Sequence, residues 1–183
     1  MNEYGDKSRS HGIPKEVLEV QADCINVPIE FMASTWADYE EKYIKKLKGL
    51  KSDYGVSYAV FGDIDIESHR EWEEKVSSVA ELHPQLPLWR VNRVELVEEM
   101  IEVGVKALIV SCQTQYADSI LGKIIDYDLL NSFRKLDIDA CGENGEYHTL
   151  VIDGPLHRKP LSINVGKKKS HGHYSFLDIS MKL

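Results

Sequence analysis

Apolar and polar positions change period along the chain, and the order of the changes predicts helices alternating with strands in the first half. Over Ile13–Asn26, Val17, Leu18, Gln21 and Ala22 recur at helical spacing, and Pro14 suits a first helical turn. Val27–Met32 is a short apolar run that reads as a strand. Trp36–Leu50 reads as a charged amphipathic helix with Trp36, Tyr39, Tyr43, Ile44 and Leu47 on one face. Tyr54–Ile64 is apolar almost throughout, the pattern of a parallel strand covered on both faces. Glu67–Leu82 reads as a helix and Leu86–Trp89 as a short third strand. Strands that alternate with helices predict an α/β fold with a doubly wound parallel sheet.

The second half has a different rhythm. Arg93–Val103 reads as a helix ending at Gly104. Ala107–Cys112 reads as a buried strand, and Asp126–Leu136 as a helix rich in Leu. Leu161–Val165 and Tyr174–Met181 alternate in polarity across a Gly- and Lys-rich connection, which predicts a β-hairpin closing an α+β region. The change of rhythm puts a boundary near Trp89–Asn92, dividing the chain into residues 1–90 and 91–183.

Charge and cysteine usage then remove several function classes. A net charge of −8 argues against nucleic acid or an anionic membrane as partner. The one basic run, Lys167-Lys168-Lys169, reads as a solvated hairpin tip. No apolar run approaches the roughly 20 residues that span a bilayer, and no signal peptide is present. Cys24, Cys112 and Cys141 are widely spaced, without a Cys-x-x-Cys pair, so neither a zinc knuckle nor a disulfide framework is expected and no metal ligand set stands out. A reducing cytoplasm suits such thiols.

Candidate chemistry concentrates in residues 141–155. Glu143 and Glu146 sit on a turn pinned by Gly142 and Gly145, followed by a strand-like run from Tyr147 to Ile152 that Asp153-Gly154-Pro155 stops. Two nearby carboxylates can bind a cation, hold an amine, or divide acid and base roles; the same residues also read as a polar turn leading into a strand. Gly62-Asp63 follows the run Tyr58–Phe61, where ligands of open parallel sheets sit. There Gly62 would let a nucleotide approach and Asp63 could hold a hydroxyl or magnesium, with His69 and Arg70 on the following helix. Ser8-Arg9-Ser10-His11 is a second polar cluster, able to meet phosphate or carboxylate through Arg9, or simply to cap the helix at Pro14. Cys112 reads as a small buried hydrophobe, and His171 and His173 as loop residues.

The run GENGEYHTLVIDGP at Gly142–Pro155 resembles the signature of the diphthine–ammonia ligase (diphthamide synthase) family. These are ATP pyrophosphatases with a PP-loop, of the adenine nucleotide alpha-hydrolase type. SRSHGIPKEVLEVQA at Ser8–Ala22, VFGDIDIESHREW at Val60–Trp72 and LPLW at Leu86–Trp89 are similar to its bacterial branch in order and spacing. The resemblance implies a Rossmann-like, HUP-type nucleotide domain followed by a substrate domain. The implied reaction adenylates a carboxylate with ATP and magnesium, and ammonia then displaces AMP. On that reading Glu143 and Glu146 are catalytic, Gly142, Asn144, Gly145, Tyr147 and His148 bind substrate, and Arg9, Ser10, His11, Gly62, Asp63 and Arg70 line the nucleotide cleft. The substrate would be a small-molecule or protein carboxylate. In the eukaryotic and archaeal branch it is a modified histidine of elongation factor 2, and in the bacterial branch it is unknown.

The chain departs from the family at one place. The Ser-Gly-Gly-Lys-Asp-Ser loop that cradles phosphate is absent, and Met1-Asn2-Glu3 resembles the end of the family's second strand. The sheet is therefore expected to be incomplete, ATP binding weak or absent, and a homodimer to form through the gap. Two readings follow: a ligase whose first segment is not in this sequence, or a catalytically inactive binding domain.

Overall fold

The computed structural model describes residues 1–182. In chain order the elements are α1 (Lys15–Cys24), α2 (Tyr39–Tyr54), β1 (Tyr58–Val60), α3 (Glu67–Val79), β2 (His83–Gln85), α4 (Arg93–Glu102), β3 (Lys106–Gln113), α5 (Ala117–Ile120), α6 (Tyr127–Leu136), β4 (Tyr147–Asp153), β5 (Ile163–His171) and β6 (Tyr174–Met181). The chain is an α/β protein. It divides into two compact units, one of residues 1–5 and 31–92, the other of residues 6–30 and 93–183. The segment carrying α1 thus groups with the C-terminal half.

In the first unit β1 and β2 pair in parallel, with Ala59 opposite Pro84. Ala59, Ala80 and Leu82 form a small core with Leu47 and Phe61 against it. α2 and α3 meet through aromatic rings: Trp72 stacks on Tyr39 at 5.7 Å, and its Nε1–H donates to Glu40 at 2.9 Å. Several details correct the sequence reading. Val27–Met32 belongs to no strand; Pro28 removes one ladder N–H and residues 27–30 are exposed. The second helix starts later, because Asp38 Oδ1 accepts from both Thr35 N (2.7 Å) and Thr35 Oγ1 (2.9 Å) and turns the chain ahead of it; Trp36 stays outside. That helix continues to Gly55, whose φ of +67° ends it, so Tyr54 is helical and β1 is short. Nor is β1 covered on both faces: Ala59 is buried, while Tyr58 and Val60 are exposed. Leu86–Trp89 is a turn, and the strand is His83–Gln85 just before it.

α3 carries an unusual buried acid. Glu73 is 4% exposed, and its Oε2 has no hydrogen-bond partner. Burial, a hydrogen bond to Asp63 and the charge of Asp63 push its pKa up to about 8. In the native state Glu73 therefore keeps its proton to a higher pH than in the unfolded chain, where the value is 4.5. Stability from this group is complete below pH 4.5 and is lost as pH rises through 8, at a slope of up to about 1.4 kcal/mol per pH unit. All three tryptophans, Trp36, Trp72 and Trp89, lie in this unit, so their fluorescence reports on it. Urea unfolding followed by tryptophan emission is expected to show the first unit weaker at pH 8 than at pH 5. Glu73→Gln should remove that difference, and an unchanged pH slope in the variant would assign it to other groups.

The second unit is an antiparallel sheet in the order β4-β3-β6-β5, accompanied by α1, α4, α5 and α6. β3 is its centre: Leu108, Ile109, Val110 and Cys112 join Val17 and Cys24 of α1, Leu129, Leu130 and Phe133 of α6, Leu150 of β4 and Ile179 of β6 in one core. Asp126 caps α6, its Oδ1 accepting from Leu129 N at 2.8 Å, and Asp137 in the left-handed conformation (φ +56°) ends it. α4 closes with Gly104 at φ +86°. β5 and β6 form the expected hairpin, but its tip is Gly172; the lysine run lies within β5. There Lys168 Nζ donates to the Ala117 carbonyl (3.1 Å) and Lys169 pairs with Asp178 (2.8 Å). Among the described residues no helix is long and apolar enough to cross a membrane.

Candidate functional site

The loop between α6 and β4 is built from backbone N–H groups that converge on carboxylates. Past Asp137 the chain sends Ile138 into the core, its N–H bonded to the Phe133 carbonyl at 3.0 Å. Asp139 follows and holds the turn: Gly142 N donates to its carbonyl (3.1 Å) and Glu143 N to its Oδ2 (2.7 Å). Gly142 (φ +72°) and Gly145 (φ +79°) both occupy the left-handed region, and a Cβ on Gly142 would sit 2.9 Å from the Tyr147 carbonyl oxygen. Tyr174 Oη donates to the Gly145 carbonyl at 3.0 Å.

The two glutamates differ sharply in surroundings. Glu146 is 6% exposed. Its Oε1 accepts from Asp139 N (3.1 Å) and Asn144 Nδ2 (3.2 Å), and its Oε2 from Asn144 N (3.2 Å). Both oxygens are thus committed to the loop itself. Glu143 is part-exposed, as is His148, and Asn144 is exposed. Tyr147 turns the other way, into the core, where its ring lies 5.1 Å from Phe133, its hydroxyl donates to the Ala140 carbonyl, and burial pushes its pKa up.

His148 meets His11, with ring centroids 4.8 Å apart. The cluster around Arg9, Ser10 and His11 therefore lies in the same unit as the glutamate loop, and Ser111 Oγ donates to the Ser10 carbonyl at 3.4 Å. Burial, and then the neighbouring His148, lower the His11 pKa to about 4; burial lowers that of His148 as well. Both rings are neutral at pH 7. The unfolded chain takes up a proton at His11 near 6.5 and the native state only near 4, so stability is complete above 6.5 and falls as pH drops through this window. The partly exposed ring should give less than about 1.4 kcal/mol per pH unit. Circular dichroism of the unfolding transition is expected to show the second unit weakening between pH 6.5 and 4, with His11→Phe flattening the dependence. An equally steep profile in the variant would remove His11 as its cause.

Gly62, Asp63 and Arg70 lie in the first unit. Gly62 is exposed, and a Cβ at this position would meet nothing within 4 Å, so the fold itself places no demand for glycine there. Asp63 Oδ1 bonds His69 Nδ1 at 2.7 Å. Arg70 pairs with Glu74 at 2.7 Å and sits 5.2 Å over the Trp89 ring. Asp63 and Gly62 suit a sugar hydroxyl. They do not suit a triphosphate: Asp63, Asp65 and Glu67 crowd the start of α3, and Arg70 is already held by carboxylates. Among the described residues no group of three or more His, Cys, Asp or Glu is placed to hold a metal ion. Cys112 is fully buried, with its thiol pushed up to about 11, as befits a core residue rather than a nucleophile.

The loop's geometry belongs to a sequence that two family descriptions cover almost end to end: diphthamide synthase N-terminal domain over residues 1–84 and diphthamide synthase C-terminal domain over residues 92–183. The chain belongs to the diphthamide synthase family. It is similar to the diphthine–ammonia ligase of Danio rerio, 26% identical over 173 residues, covering 92% of this chain and 68% of that protein. The Bos taurus diphthine–ammonia ligase is 29% identical over 148 residues, covering 78% of this chain and 55% of that protein. The chain thus spans between about half and two thirds of the length of these relatives. Within this diphthamide synthase C-terminal domain, sequence reasoning missed Asp139 and Arg93, whose Nη1 donates to Asp139 Oδ2 at 2.8 Å. An aspartate just ahead of a glycine turn was the available signal for the first; nothing local marked the second.

Proposed function

We propose that this chain works on the ammonia side of an ATP-dependent, amide-forming ligase reaction, in which a carboxylate is activated by adenylation and ammonia displaces AMP. The glutamate loop is the observation that carries the reading. Glu146 is spent on loop N–H groups, so it shapes the turn and gives it negative charge. Glu143, part-exposed on that turn, is the carboxylate we assign to hold an ammonium ion and take its proton. The ammonia so formed attacks the activated carbonyl; a C–N bond forms, the C–O bond to AMP breaks with its electron pair leaving on AMP, and the nitrogen gives its extra proton to solvent to leave the neutral amide. The neutral His11–His148 pair beside the loop adds no positive charge that would repel ammonium. Gly62 and Asp63 are assigned to the nucleotide's sugar, and the grip on phosphate to no residue of this chain.

The names of the relatives supply diphthine as the first carboxylate to try, with a panel of small carboxylates after it. The product of the chain's own gene, with whatever is encoded upstream of Met1, is incubated with ATP–magnesium and 15N-ammonium. Mass spectrometry should find 15N in an amide product, with one AMP released per amide. No turnover with any carboxylate would favour the second reading, a binding domain that keeps the acidic loop without the chemistry, and ATP turnover without ammonium dependence would remove the ammonia-side role.

A further inference from the structure

Four bonds of one residue fix the glutamate loop, and that residue is neither glutamate. Asp139 N donates to Glu146 Oε1 (3.1 Å), and Asp139 Oδ2 accepts from Glu143 N (2.7 Å). Its carbonyl accepts from Gly142 N (3.1 Å), and the same Oδ2 accepts from Arg93 Nη1 (2.8 Å). The side chain of Asp139 is 10% exposed and that of Arg93 26%, so the ion pair is partly shielded from water. Arg93 is the first residue of α4, and its own carbonyl accepts from Cys141 Sγ at 3.3 Å. The arginine therefore touches the loop at two points, by its guanidinium and by its backbone.

We propose that Asp139, held by Arg93, is the positioning residue that sets where the carboxylates of Glu143 and Glu146 stand. The inference rests on the ammonia-side role of Glu143. Asp139 reaches Glu143 through its Oδ2 and Glu146 through its N–H, so one displacement of Asp139 moves both glutamates. Glu146 in turn holds Asn144, which closes the circuit through the loop. The guanidinium fixes Oδ2 in direction as well as distance, which a lysine ammonium would not do. A positioning residue acts through geometry, and misplacing a reacting group by about 1 Å can cost roughly 10²-fold in rate.

The test compares Asp139→Asn, Arg93→Lys and Glu143→Gln in the full chain. Asp139→Asn keeps volume but turns the charged partner of Arg93 into a neutral amide. It is expected to lower kcat/KM for ammonium by about 10- to 100-fold while leaving carboxylate-dependent pyrophosphate exchange near the wild-type rate. Arg93→Lys should fall between Asp139→Asn and the wild type. A general loss of fold would lower both rates together and would overturn the proposal, as would wild-type ammonium kinetics in Asp139→Asn alongside a defective Glu143→Gln. Wild-type ammonium kinetics in Glu143→Gln itself would sink the ligase reading and this inference with it. A second measurement needs no turnover. Amide exchange at Glu143 and Asn144 should quicken at least about tenfold in Asp139→Asn, while exchange at Ile109 and Val110 in β3 stays slow. Unchanged exchange in the loop, or equal quickening in β3, would overturn the proposal.

Discussion

Glu143→Gln is expected to lower ammonium-dependent amide formation by about 10²-fold or more, the size of a lost acid–base group, with little change in melting temperature. Glu146→Gln is expected to do the reverse first: to loosen the protein, and to lose activity as a consequence. The contrast follows from how deeply the two carboxylates are buried. Glu143 is part-exposed, so an amide there should disturb stability less than one at Glu146. Glu146 accepts three N–H donors while 6% exposed. An amide in its place turns an –NH2 toward at least one of those donors, leaving it unpaired beside a second donor. Bonds to a charged group are worth about 1.5–3 kcal/mol each, so the variant should lose about 2–4 kcal/mol. Differential scanning calorimetry of the two variants, set beside their rates, separates the roles. Equal melting temperatures with equal loss of rate would make the glutamates chemical partners instead.

Gly142→Ala should be the most damaging single-methyl change in the chain. The residue sits at φ +72°, which costs an alanine about 1–2 kcal/mol. Its Cβ would also press to 2.9 Å from the Tyr147 carbonyl oxygen and 3.2 Å from the Tyr147 ring. That tyrosine is anchored twice, by its ring in the core and by its hydroxyl on Ala140, so it cannot yield cheaply. The combined loss is expected to reach about 2–4 kcal/mol, with the loop and the start of β4 most disturbed. Gly172→Ala serves as the comparison. It shares a positive φ (+60°) but has nothing within 4 Å of the added methyl, so only the backbone term remains. Chemical unfolding that ranked the two alike would mean that the Tyr147 contact relaxes freely.

What the sequence made legible was local. α6 could be read from its leucine-rich run, β3 from its largely apolar run, and the loop from two glycines free to take positive φ; each signal sits within a few residues of what it specifies. The misreadings arose where distant partners decide. Tyr54–Ile64 looks like one buried strand, yet Gly55 stops a helix inside it and, within β1, only Ala59 finds cover. The strand expected at Leu86–Trp89 lies at His83–Gln85, where a two-stranded sheet with open edges tolerates Pro84. Val27–Met32 has strand-like residues yet belongs to no strand. At the site, the glutamates were visible but their division of labour was not. It depends on Asp139, and Asp139 depends on Arg93 from another element. The approach of His11 to His148 is likewise a product of the tertiary fold, invisible to any window along the chain.

Glu73 gives folding itself a chemical stoichiometry. A carboxylic acid that titrates near 8 in the native state and near 4.5 in the unfolded one releases a proton to solvent when the chain melts at neutral pH. The buffer must absorb that proton, and buffers differ in the heat with which they do so. The calorimetric enthalpy of unfolding at about pH 7 should therefore differ between phosphate and Tris, and Glu73→Gln should shrink that difference.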